Sequence, residues 1–242
     1  MPTAIQRLVF AIGMSSIAAC DPTPEQAEIV LPSVDPRRCK PVPGTTGSPN
    51  TIEEAVALAN GLPFPVTAEC FVEALDRPLR IEATESQASV QPAVGARSPR
   101  VFVWSTDALV MAIAIDGPGR NLVEFGQFVS PRRSVKAELE FPLSAPASTA
   151  AALQRVRNVE YPRITRCFVC HDSERDESTI PGGRSSLVIR PRPSTLVDIV
   201  SLVEQHERCD PKTEPARCRW LEAIASHGPI EHRPFDASLP LF

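Results

Sequence analysis

Between Pro78 and Ser144 the chain settles into the rhythm of strands, and this stretch constrains its fold most. Leu79–Ala83, Arg100–Trp104 and Val135–Phe141 alternate apolar and polar residues, the signature of a sheet with one face in a core. Ala108–Ile115 is apolar throughout, which predicts a central strand buried on both faces. Asp116-Gly117-Pro118-Gly119 then supplies a turn before another strand over Leu122–Val129. Five strands with hairpin spacing predict an antiparallel sandwich or small open barrel. This stretch contains no histidine or cysteine, so metal and thiol chemistry is expected elsewhere. Its expected role is scaffold or docking module.

Helices are expected on either side. Thr51 and Glu54 fit a capping box ahead of Ile52, Ala55, Val56 and Ala59, with Asn60-Gly61 as the stop. A second short helix is expected over Ala68–Leu75. Ala145–Ala151 reads as a small-residue linker, leading to a helix over Ala150–Asn158. Ser194 or Thr195 is expected to cap a helix ending near Arg208. Thr213 and Pro215 open a last one, Ala216–His227, closed by Gly228-Pro229. The 26 prolines against 11 glycines predict short elements joined by stiff loops. The expected class is α+β and multidomain: short helices plus an antiparallel β domain over 51–146, then a small, mainly helical domain over 147–242. The formal net charge of −4 and the scattered arginines give no basic field for nucleic acid.

The N-terminus reads as an export signal. Arg7 precedes an apolar run from Leu8 to Ile17, too short to span a bilayer but suited to a signal peptide. Ile17-Ala18-Ala19-Cys20 resembles a bacterial lipobox. The resemblance implies removal of residues 1–19, lipidation of Cys20 and a lipid-anchored, extracytoplasmic protein of the bacterial cell envelope. Residues 20–50, with Pro22, Pro24, Pro32, Pro36, Pro41, Pro43 and Pro49, then read as a semi-rigid tether. The membrane, reached through the anchor, is the first expected partner.

Cys167-Phe168-Val169-Cys170-His171 is the stretch that carries chemistry. Two thiols two residues apart, followed at once by an imidazole, resemble the haem-attachment motif of c-type cytochromes. The resemblance implies one covalently attached haem c, with thioether links to Cys167 and Cys170 and His171 as proximal iron ligand. It also implies one-electron transfer with an unidentified redox partner, an electron carrier rather than a catalyst, and a cytochrome c-like C-terminal domain. No methionine follows the motif, and Met111 falls in the expected buried strand. His232, in an irregular loop, is the favoured distal ligand, ahead of His206 and His227, whose places near helix ends have an ordinary dipole explanation. Other readings stay open. Cys167, Cys170 and His171 with a later ligand could hold zinc; the two cysteines could form a structural disulfide; or they could serve a thiol-disulfide oxidoreductase. With Cys20, Cys167 and Cys170 set aside, four of the seven cysteines remain. In an exported protein these are expected to form two disulfides, and proximity favours Cys39–Cys70 and Cys209–Cys218.

Overall fold

Residues 29–30 and 36–242 are described by the structure, a computed structural model. The segment expected to be a signal peptide, and Cys20, the expected lipidation site, fall outside the described residues. Local chemistry sets the helices where the sequence places them. Thr51 Oγ1 accepts the Glu54 N–H at 3.1 Å to start α1 (Ile52–Asn60), and the Glu54 carboxylate accepts the Asn50 N–H at 2.6 Å. Thr67 and Ser148 cap α2 (Ala68–Glu73) and α3 (Thr149–Arg155) in the same way. Helix α4 (Ile199–Glu207) begins later than the sequence suggests. Pro193–Thr195 forms a 3-10 turn and Leu196–Val197 pairs as a strand, so Asp198 becomes the cap. Helix α5 (Pro215–Ala225) opens on its proline. No helix among the described residues is long and apolar enough to cross a membrane.

The strands form one sheet. They are β1 (Ile29–Val30), β2 (Leu79–Thr84), β3 (Arg100–Trp104), β4 (Leu109–Ala114), β5 (Leu122–Ser130), β6 (Arg133–Glu140), β7 (Arg175–Asp176), β8 (Arg184–Leu187), β9 (Leu196–Val197) and β10 (Ile230–His232). Their order is β1-β10-β2-β3-β4-β5-β6-β8-β7, with β9 also paired to β2. All pairings are antiparallel except that of β10 with β2.

Three expectations are corrected here. The sheet is neither a sandwich nor a barrel, because helices rather than a second sheet cover one face. Val101, Val103, Leu109, Met111, Ile113, Val123, Phe125, Val135, Ala137 and Leu139 pack there against Ile52, Phe71, Leu153, Leu202, Trp220 and Leu221 from all five helices. The C-terminal part is not a separate helical unit: β7–β10 extend the same sheet, and α4 and α5 enter the same core. Its cytochrome c-like character is not visible as a domain. Finally, the segment read as a tether contributes β1 at the sheet edge.

The two disulfides are Cys39–Cys70 and Cys209–Cys218, as the spacing suggests. The second links the end of α4 to α5. The other sheet face carries a smaller apolar cluster of Phe102, Trp104, Val110, Ala112, Val188, Phe235 and Leu239, closed by the C-terminal tail. Glu82, 4% exposed on β2, accepts the Phe235 N–H at 3.2 Å and holds that tail in place.

Candidate functional site

Because successive side chains alternate across a sheet, the residues pointing away from the helical core fall at even positions. From β3 to β6 these are Arg100, Phe102, Val110, Ala112, Glu124, Gly126, Ser134 and Lys136. They floor a cavity of about 370 Å³, within the range of small-molecule sites. Phe235 and Phe242 of the tail and Val188 after β8 line its apolar side. Cys167, Cys170 and His171 line the same cavity. The region read as a scaffold thus supplies the floor of the site.

Gly126 keeps that floor open. It lies mid-strand, opposite Lys136, where a side chain would ordinarily stabilise the sheet. A Cβ there would sit 3.2 Å from Val110 Cγ1 and 3.5 Å from Ser134 Oγ, and would intrude on the cavity.

Two buried carboxylates seat the motif on the sheet. Glu138, 0% exposed on β6, binds Arg166 just before Cys167 and also Arg155 of α3 at 3.1 Å. Burial pushes its pKa up, against the pull of the two arginines. Glu174, its side chain 2% exposed, pairs with Arg184 of β8 at 3.4 Å. It also accepts the Thr165 N–H at 2.8 Å and the Thr165 hydroxyl. Thr165 Oγ1 in turn accepts the Cys167 N–H at 3.1 Å, capping a 3-10 turn over Arg166–Val169. The Cys170 and His171 N–H groups both close on the Cys167 carbonyl, at 3.1 and 2.8 Å. The result is a tight turn whose Cys167, Cys170 and His171 all line the cavity.

The turn lies at the protein surface. Phe168, Val169 and Cys170 are exposed, and Cys167 is half-buried. Unlike the other four described cysteines, Cys167 and Cys170 are not bridged. Burial, reinforced by the negative charge of Glu124, pushes the Cys167 thiol up to about 11. His171 Nδ1 lies 2.8 Å from the Leu187 carbonyl. A carbonyl can only accept, so Nδ1 carries the proton and Nε2 is left with a bare lone pair. Burial, and then the charge of Lys136, push the His171 pKa down to about 3. The imidazole is therefore neutral at physiological pH.

Comparison with protein-family models, curated proteins and solved structures returns no match. Geometry alone must distinguish the readings of the motif.

The histidines expected as distal ligands are not brought to this cavity. His232 lies on β10, paired with Ile81. That register puts it on the helix-covered side of the sheet, with β2 between its strand and the cavity floor. His206 is in the last turn of α4. His227 is buried beyond α5, 3.8 Å from Glu73 and 3.3 Å from Ser226. Met111 contributes to the cavity wall from β4, but its side chain belongs to the helix-side core. Sequence reading missed the polar group on the floor: Arg100, Glu124 and Lys136. Arg100 and Glu124 pair at 2.6 Å with side chains 12% and 16% exposed. Burial pushes the Lys136 pKa down to about 8. The signal was the polar half of the strand alternation, which a sequence assigns to solvent by default.

Proposed function

We propose that this chain is an extracytoplasmic c-type haem protein, lipid-anchored at Cys20, that carries single electrons near a membrane surface. The observation carrying this reading is that two unbridged thiols and a carbonyl-oriented histidine line one largely apolar cavity. A histidine that ligates a metal almost always gives its other N–H to a carbonyl or carboxylate, and Leu187 is that carbonyl for His171.

The residues fit the group in three respects. Gly126 leaves the cavity floor without a side chain at its centre, which suits a flat group lying on it. The Phe102, Val110, Val188 and Phe235 side chains offer an apolar lining. The exposed Phe168 and Val169 put the attachment edge at the surface, where electron exchange with a partner takes place. In attachment, each cysteine sulfur bonds one carbon of a vinyl group and its proton goes to the other carbon, with no net oxidation. Bound iron would supply reversible one-electron chemistry, tuned by its axial ligands and by burial. His171 would ligate the iron, and the Glu138–Arg166 and Glu174–Thr165 contacts hold the turn that carries it.

Two competing readings find less support. A thiol oxidoreductase needs a cysteine with a lowered pKa, whereas Cys167 is pushed upward. A zinc site needs four converging ligands, and beyond Cys167, Cys170 and His171 the cavity lining offers only Glu124, which is already paired with Arg100. The test is to export the full chain together with haem-attachment machinery. The expected product keeps its colour after acid-acetone extraction and gives a haem c pyridine haemochrome. A colourless product, made while a control cytochrome matures in the same cells, would overturn the reading.

A further inference from the structure

We propose that Lys136 supplies the second axial ligand to the iron, through its side-chain amine. This rests on the haem reading and concerns the position that the histidines and methionines leave open.

The argument is one of placement. Lys136 Nζ stands over Gly126, 3.8 Å from where a Cβ would be, on the cavity floor. Protein crowds the side chain, yet it keeps accessible surface because it faces the cavity. Among the described residues its hydrogen bond is to Ser134 Oγ, at 2.6 Å. The acids within range are engaged elsewhere: Glu124 by Arg100, Glu174 by Arg184 and Thr165. An amine with three donor positions thus has one hydrogen-bond acceptor, a neutral oxygen, among the described residues. That is an unmet demand, and a ligand in the cavity would meet it.

Two features of a haem could do so, a propionate or the iron. The two vinyl groups and the two propionates occupy opposite edges of the macrocycle. Lys136 and Cys167 line the same cavity, which would set the amine toward the thioether edge rather than the propionates. The iron is the electrophile left within reach. Other donors do not compete for it: Met111 faces the core, and His206, His227 and His232 lie outside the cavity lining.

The experiment uses the matured, full-length protein in its ferric form. Intact mass and the pyridine haemochrome first establish covalent haem in each sample. The wild type should then show a low-spin ferric spectrum by absorption and electron paramagnetic resonance. Lys136→Leu should lose it and become high-spin. Lys136→Arg keeps the positive charge and a donor for Ser134 but does not ligate iron, so it should lose the low-spin signal as well. A purely structural lysine would be rescued by arginine. Wild type carrying covalent haem but high-spin, or low-spin signals that persist in both variants, would overturn the ligand while leaving the haem reading intact. Wild type without covalent haem would overturn both.

Discussion

Glu82→Gln isolates the tail that walls the cavity. Glu82 is 4% exposed, and burial pushes its pKa from the ordinary 4.5 to about 7, against the opposing pull of the Phe235 N–H and Arg190. Below pH 4.5 the folded and unfolded chains both hold the proton, and the group costs nothing. Between pH 4.5 and 7 the fold keeps a proton that the unfolded chain has lost, so this group's contribution to stability falls as pH rises. Above pH 7 the full cost persists, about 3 kcal/mol for a pKa difference of this size. Glutamine has no charge to bury and can still accept the Phe235 N–H through its amide oxygen. The variant should therefore exceed the wild type by less than about 1 kcal/mol at pH 5 and by about 3 kcal/mol at pH 8. Urea unfolding at the two pH values measures both differences, and the subtraction cancels every other titrating group. An equal difference at the two pH values would refute the argument that a buried charge at Glu82 is being relieved.

Three further outcomes follow from the seating of the motif. In haem-free protein at pH 8, a thiol reagent should label exposed Cys170 in a fast phase and Cys167 in a slow one. With its pKa pushed to about 11, only about one Cys167 in a thousand is thiolate at that pH; peptide mapping of the labelled sites checks the order. Glu174→Ala removes a buried partner from Arg184 and two acceptors from Thr165. It should cost about 3 kcal/mol in urea unfolding and speed Cys167 labelling. Replacing both Cys39 and Cys70 by alanine opens a loop with a sequence separation of 31, and should lower stability by about 3–4 kcal/mol by the same measurement.

Much of the fold was legible because it is local. The alternation in Arg100–Trp104 and the Thr51 cap act within a few residues, and both elements occur at those positions. What escaped is non-local. Arg175–Asp176, Arg184–Leu187 and Ile230–His232 are too short for alternation to show, and they become strands only because β6 and β2 offer open edges. The same pairings draw the C-terminal part into the core of the N-terminal one. Both disulfides were legible from the spacing of their cysteines, and Cys167, Cys170 and His171 line one cavity. The floor of that cavity was not legible. Lys136 and Glu138 occupy the face that alternation consigns to water, and only the motif loop lying over the sheet makes that face interior. His232 failed as a candidate for a related reason: what reads as an irregular loop is a strand, whose register fixes which way the residue faces.

The central claim is that Cys167 and Cys170 bind haem covalently with His171 on the iron. It is tested most directly by intact mass spectrometry of the exported chain co-produced with haem-attachment machinery. The account predicts a mass increase of one haem that survives denaturation, maps to the peptide containing both cysteines, and disappears in the Cys167→Ala/Cys170→Ala variant. Unmodified thiols at both positions, with haem attached to a control cytochrome in the same cells, would contradict it.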